Sequence, residues 1–179
     1  MDKIKKWLKW LYTAPRMPKE IKNKPLRIIL LICGWAIIAL LPVYCLGMVE
    51  YIHYASKAKV FTFFTERTEV VLFDLAVLYL LWFCALCVLK KGWLATAVYG
   101  GFFGAVATTD YLKYSMTGDY FYPWDLAEQA GHLGELKNFI TVPFPVLYIA
   151  MILFVFVMAV IVFFSGAQLP VRWCVRYPA

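Results

Sequence analysis

Cys84 and Cys87 form a CxxC pair in the stretch CALC. At a helix start near a surface, this spacing supports thiol redox chemistry because one sulfur can become a thiolate. Here the pair lies within an apolar run, where surroundings favour the neutral, inert thiol. Cys33, Cys45 and Cys174 have no matching spacing. Asp74 also lies inside an apolar run, and an intramembrane acid is a functional hypothesis by default. It stands four residues from the start of that run, about 6 Å deep at 1.5 Å per residue. It either reaches the interface as a structural group or lines a proton or substrate path. His53 and His132 are the two histidines, placed on separate loops, and two histidines without a spaced partner define no metal site. There is no glycine-rich nucleotide loop, no GxSxG and no paired-carboxylate arrangement. Residue chemistry alone gives no catalytic centre, no cofactor site and no metal site.

The elements that would position these residues are membrane spans. The chain has 179 residues, 63% of them apolar, and a mean hydropathy of +0.70. Soluble domains are nearer half apolar. A span needs about 20 apolar residues, and four segments qualify: 28–49, 70–89, 92–112 and 142–164. The third carries threonines, glycines and Asp110, with an apolar core from Trp93 to Ala107. The N-terminus has a long basic region before a full-length apolar run, so it reads as a retained anchor rather than a cleaved signal.

Charge sets the expected orientation. Residues 1–27 carry nine of the eighteen lysines and arginines. With Lys90, Lys91, Arg172 and Arg176, thirteen of the eighteen fall on one side. That side is expected to be cytoplasmic by the positive-inside rule. Both termini are then inside. The net charge of +7 follows from this topology and from attraction to anionic lipid, with no nucleic-acid motif to suggest another partner.

The expected fold is all-α: a four-helix polytopic membrane bundle with two interfacial additions. The first is a cytoplasmic foot, residues 1–27. In it Ile4, Trp7, Leu8 and Leu11 make a helical apolar stripe among lysines, and Pro15, Pro18 and Pro25 form an irregular tether. The second is an outer amphipathic helix in the loop 113–141. A cytoplasmic tail covers 165–179. Pro42 is expected to kink the first span, with neighbouring helices re-satisfying the freed carbonyl. The apolar patch VFTFFT in the first outer loop, residues 50–69, should rest on the membrane interface. In the third span Gly100 and Gly104 form a GxxxG pair, and Ala97, Gly101 and Ala105 a second small stripe. Small residues let helix backbones approach closely, so this span reads as the packing centre.

Beyond Asp110, expected to end the third span at the outer surface, MTGDY reads as a turn, with Gly118 able to take positive φ. Asp125 and Glu128 have capping-box spacing. Tyr120, Phe121, Tyr122 and Trp124 suit a headgroup layer. The stretch DYLKYSMTGDYFYPWDLAEQAGHLGELKNF resembles the segment between the third and fourth spans of the lipoteichoic acid synthase family, membrane phosphoglycerol transferases with a sulfatase-like catalytic domain. The matching residues are Tyr111, Lys113, Tyr114, Gly118, Asp119, Phe121, Pro123, Trp124, Asp125 and Leu126. The resemblance implies a membrane portion that anchors the enzyme and orients it near lipid headgroups. The family's fifth span and its extracellular domain, with a nucleophilic threonine and bound manganese or magnesium, have no counterpart among these 179 residues. No residue here inherits those roles.

Three functions follow. The first is the membrane anchor of a truncated or split relative of these synthases, non-catalytic by itself, contacting anionic or glycolipid headgroups or a separate catalytic protein through Tyr114, Gly118, Asp119, Phe121, Pro123, Trp124 and Asp125. The second is an independent membrane scaffold or lipid-binding subunit. The third is a small transporter using Asp74.

Overall fold

The computed structural model describes residues 24–54, 56–119, 122 and 145–167. Five helices hold 91% of the described residues, with no strand among them. They are α1 (Lys24–Tyr54), α2 (Lys57–Glu66), α3 (Thr68–Leu89), α4 (Gly92–Thr117) and α5 (Val146–Ser165). The foot as far as residue 23, the amphipathic helix expected after residue 119 and the tail from residue 168 lie outside the described residues.

Three of these helices, not four, are long and apolar enough to cross a membrane: Pro25–Tyr54, Thr68–Leu89 and Val146–Ser165. They make the chain a multi-pass membrane protein. The expected third span does form a helix, of 26 residues, but it falls short on apolarity. The reason is its composition. Gly100 and Gly104 stand where α4 meets α5, and a Cβ at either would press on Val155 or Ile152. A helix that packs on α1, α3 and α5 together trades large apolar side chains for close approach. Gly101 has only the Phe156 ring nearby, at 3.8 Å.

α1 and α4 form the central pair, with α5 packed along one side and α3 along the other. Their buried centre gathers Leu41, Cys45, Trp82, Tyr99 and Val162. A second cluster, Met48, Ile52, Ala107 and Tyr148, closes the bundle toward the far end of α1. The two-residue turn between α3 and α4 uses Lys90 in the left-handed region, at φ 56°.

α1 runs unbroken through Pro42. Proline has no N–H, so the carbonyl of Ile38 loses its intrahelical donor. Trp82 of α3 supplies one: its indole Nε1–H donates to Ile38 O at 2.8 Å. One residue on, the Tyr79 hydroxyl donates to Ala39 O at 2.7 Å. The Tyr99 hydroxyl of α4 donates to Leu78 O at 2.8 Å. Three aromatic donors on backbone carbonyls therefore fasten α3 to the α1–α4 pair. Among the described residues no buried side-chain polar atom lacks a partner.

Several boundaries differ from expectation. Pro25, expected in the tether, stands in the first turn of α1, where its missing N–H costs nothing. The expected loop 50–69 is almost wholly helical: α1 extends to Tyr54, and VFTFFT lies within α2. Phe63 turns inward against the Tyr54 ring while Phe61 stays exposed. α4 does not stop at Asp110 but runs on to Thr117.

Candidate functional site

The far end of the α1–α4 pair brings polar side chains of separate helices together. His53 lies in the last turn of α1 rather than on a loop. Asp110 lies inside α4, only 8% exposed. The two helices run in the same direction, so positions far apart in sequence meet at one level. His53 Nδ1 stands 2.8 Å from Asp110 Oδ2, with the side chains 25% and 11% exposed. The Tyr54 ring packs edge-on against the imidazole at 4.8 Å. Tyr111 meets Tyr148 edge-to-face at 5.3 Å, and Tyr51 meets the same ring at 6.2 Å. These tyrosines form an aromatic layer at the level of the pair.

An open cleft of about 510 Å³ lies over this layer. His53 and Tyr54 of α1 line it with Lys59 of α2. Asp110, Tyr111, Tyr114 and Ser115 of α4 form the other wall, and Gly118 closes its rim. Gly118 caps α4 at φ 76°, its N–H donating to Tyr114 O at 3.0 Å. A second cleft of about 310 Å³ shares Tyr54 and Lys59 and continues along α2 past Thr62 to Glu66 and Arg67. The first volume is within the range of small-molecule sites, about 300–1,000 Å³. The lining mixes one cation, one carboxylate, an imidazole, hydroxyls and tyrosine side chains. Such a surface can bind a small polar group by charge, hydrogen bonds and ring contact together.

Of the expected contact residues, Tyr114 and Gly118 line the cleft, and Asp119 is exposed just beyond it. Phe121, Pro123, Trp124 and Asp125 lie outside the described residues, as does His132. Lys113 Nζ lies 5.4 Å over the Tyr122 ring. Asp74 is half-buried near the start of α3 and does not line the cleft. Cys84 is exposed on α3 and Cys87 half-buried. Among the described residues no group of three His, Cys, Asp or Glu is arranged to hold a metal ion.

Sequence reasoning missed His53, Asp110, Lys59 and Ser115. His53 and Asp110 are 57 residues apart, with no motif to link them. One signal was available: both lie near the same end of segments expected to run in parallel through the bundle. Comparison with protein-family models, curated proteins and solved structures finds no match to this chain.

Proposed function

We propose that this chain crosses the bilayer four times, with both termini cytoplasmic, and holds a lipid headgroup at its outer end. It serves as the membrane portion of a lipoteichoic acid synthase-like phosphoglycerol transferase of the cell envelope, non-catalytic by itself. The observation that carries the reading is the cleft lined by His53, Asp110 and Lys59. It opens at the end of a bundle whose sides are apolar, at the level where headgroups would meet it. Two further features support it. The thirteen basic residues expected inside leave this end on the outer face by charge asymmetry. α4, though less apolar than its neighbours, is 26 residues long, enough for a crossing at about 1.5 Å per residue, and lies among three apolar helices that shield it.

The test has two arms. Single cysteines at Lys59 and Lys90, in a background with the native cysteines replaced, are labelled in intact cells with a membrane-impermeant maleimide. Labelling at 59 and protection at 90 is expected. The reverse pattern would put the cleft on the cytoplasmic side and end the proposal. Native mass spectrometry of protein extracted with its lipids should then show headgroup-bearing lipid retained, and several-fold less of it in Tyr114→Ala.

A further inference from the structure

Resting on that headgroup reading, we propose that the outer site takes a headgroup of two linked polar units and selects it by length rather than by charge. The two clefts at this end are halves of one trough. Tyr54 and Lys59 line both, so an occupant of the first passes into the second along the same two side chains. The first is about 510 Å³ and the second about 310 Å³. Each falls within the range that holds a small molecule, about 300–1,000 Å³. A one-unit headgroup therefore fills one cleft and leaves the other to solvent, whereas a second linked unit has a place of its own.

The second cleft follows one face of α2. Lys59, Thr62, Phe63, Glu66 and Arg67 are spaced three and four residues apart, as neighbours on a helix surface are. From Lys59 to Arg67 this half runs about 12 Å at 1.5 Å per residue. Phe63 is buried and packs on the Tyr54 ring at 6.1 Å, which makes a firm floor where the halves join. Thr62, Glu66 and Arg67 are exposed, and among the described residues Glu66 and Arg67 make no ion pair. They bring a hydroxyl, a carboxylate and a guanidinium to one face, acceptors and donors together. Charge gives no ranking. Lys59 and Arg67 stand against Asp110 and Glu66 in the combined lining, so neither sign dominates. Hydroxyl groups both donate and accept, so a hydroxyl-rich second unit can use all three side chains. Tethered to a first unit already seated, it adds those contacts without a second loss of translational freedom.

The experiment titrates dihexanoylglycerol carrying one or two galactosyl units into the full chain, a pair that differs in length and not in charge. The protein is held in a polyoxyethylene detergent, which has no sugar to compete. Dihexanoyl phosphatidylglycerol and water-soluble digalactosylglycerol are the further probes, and calorimetry reads the Kd. The two-unit lipid should bind about tenfold tighter than the one-unit lipid, a difference of about 1.4 kcal/mol. Glu66→Ala and Arg67→Ala, at exposed positions, should bring the two-unit lipid down to the affinity of the one-unit lipid and leave the latter unchanged. Ser115→Ala, exposed in the first cleft, should weaken both. Equal affinity for the two galactolipids overturns selection by length and leaves the headgroup reading standing, as does binding of phosphatidylglycerol with neither galactolipid. No binding of any lipid overturns both. Soluble digalactosylglycerol binding as tightly as the two-unit lipid overturns the lipid source. A tenfold preference that survives in both Glu66→Ala and Arg67→Ala puts the second unit outside the α2 cleft and ends the proposal.

Discussion

Replacing Trp82 with phenylalanine isolates one hydrogen bond and tests whether Pro42 created the need for it. The indole donates to Ile38 O at 2.8 Å and is 3% exposed. Phenylalanine keeps most of the ring volume but not the donor, leaving Ile38 O short of a partner because Pro42 cannot supply one. Interhelical hydrogen bonds in membranes average about 0.6 kcal/mol and reach about 1.7. A carbonyl left with no donor belongs at the upper end, so Trp82→Phe should cost about 1.5 kcal/mol. Pro42→Ala restores an N–H to α1, and Ile38 O regains an intrahelical donor. In that background the indole is redundant and Trp82→Phe should cost about 0.5 kcal/mol, a coupling of about 1 kcal/mol. The four variants are compared by equilibrium unfolding in mixed detergent micelles. Coupling under about 0.3 kcal/mol is indistinguishable from additivity. It would mean that Ile38 O finds another donor and that Pro42 and Trp82 are adjacent without being linked.

Gly100→Ala should destabilise the bundle by about 1–3 kcal/mol, as overpacking does, because the new methyl meets the stiff, fully buried Val155 side chain. Adding Val155→Ala should recover part of that loss in the same unfolding assay, while Gly101→Ala, facing Phe156 at 3.8 Å, should be near neutral. Lys90→Gly should stabilise by about 1 kcal/mol, since an L-residue in the left-handed region carries about 1–2 kcal/mol of strain that glycine lacks. His53→Ala and Asp110→Ala should couple by about 1 kcal/mol in a double-mutant cycle, the partial exposure of His53 holding the figure below that of a fully buried charged hydrogen bond. A cycle that closes to zero would make the 2.8 Å contact incidental to stability.

Hydropathy was enough to place α3 and α5 within a few residues, because a spanning helix is read from an uninterrupted apolar run. It was less informative for α4, where Gly100 and Gly104 serve packing and lower the apolar signal. Helix ends were the weakest part. α4 passes Asp110, whose carboxylate meets His53, a partner no local rule could supply. Pro42 announced a freed carbonyl, but which of many aromatic residues would answer it depended on how α3 lies against α1. The candidate site was legible only at Tyr114 and Gly118, which share a stretch with a turn signal. His53 and Lys59 reach the same cleft from other elements, by an arrangement that exists only after the helices pack.

The place of α5 in the bundle bears on how the protein is made. α1 and α4 each pack extensively on α5, the last of the described helices in chain order. While synthesis proceeds from the N-terminus, α1 first meets α3, and Trp82 and Tyr79 can reach its carbonyls before α4 has emerged. α4 then arrives as the least apolar of the four long helices, with Gly100 and Gly104 facing a groove that Val155 and Ile152 have not yet filled. If α4 crosses as proposed, until α5 inserts it has the least reason to stay in lipid and lacks the neighbour it packs on most. The stage between the third and fourth long helices is therefore the point at which a membrane chaperone or insertase has most to protect.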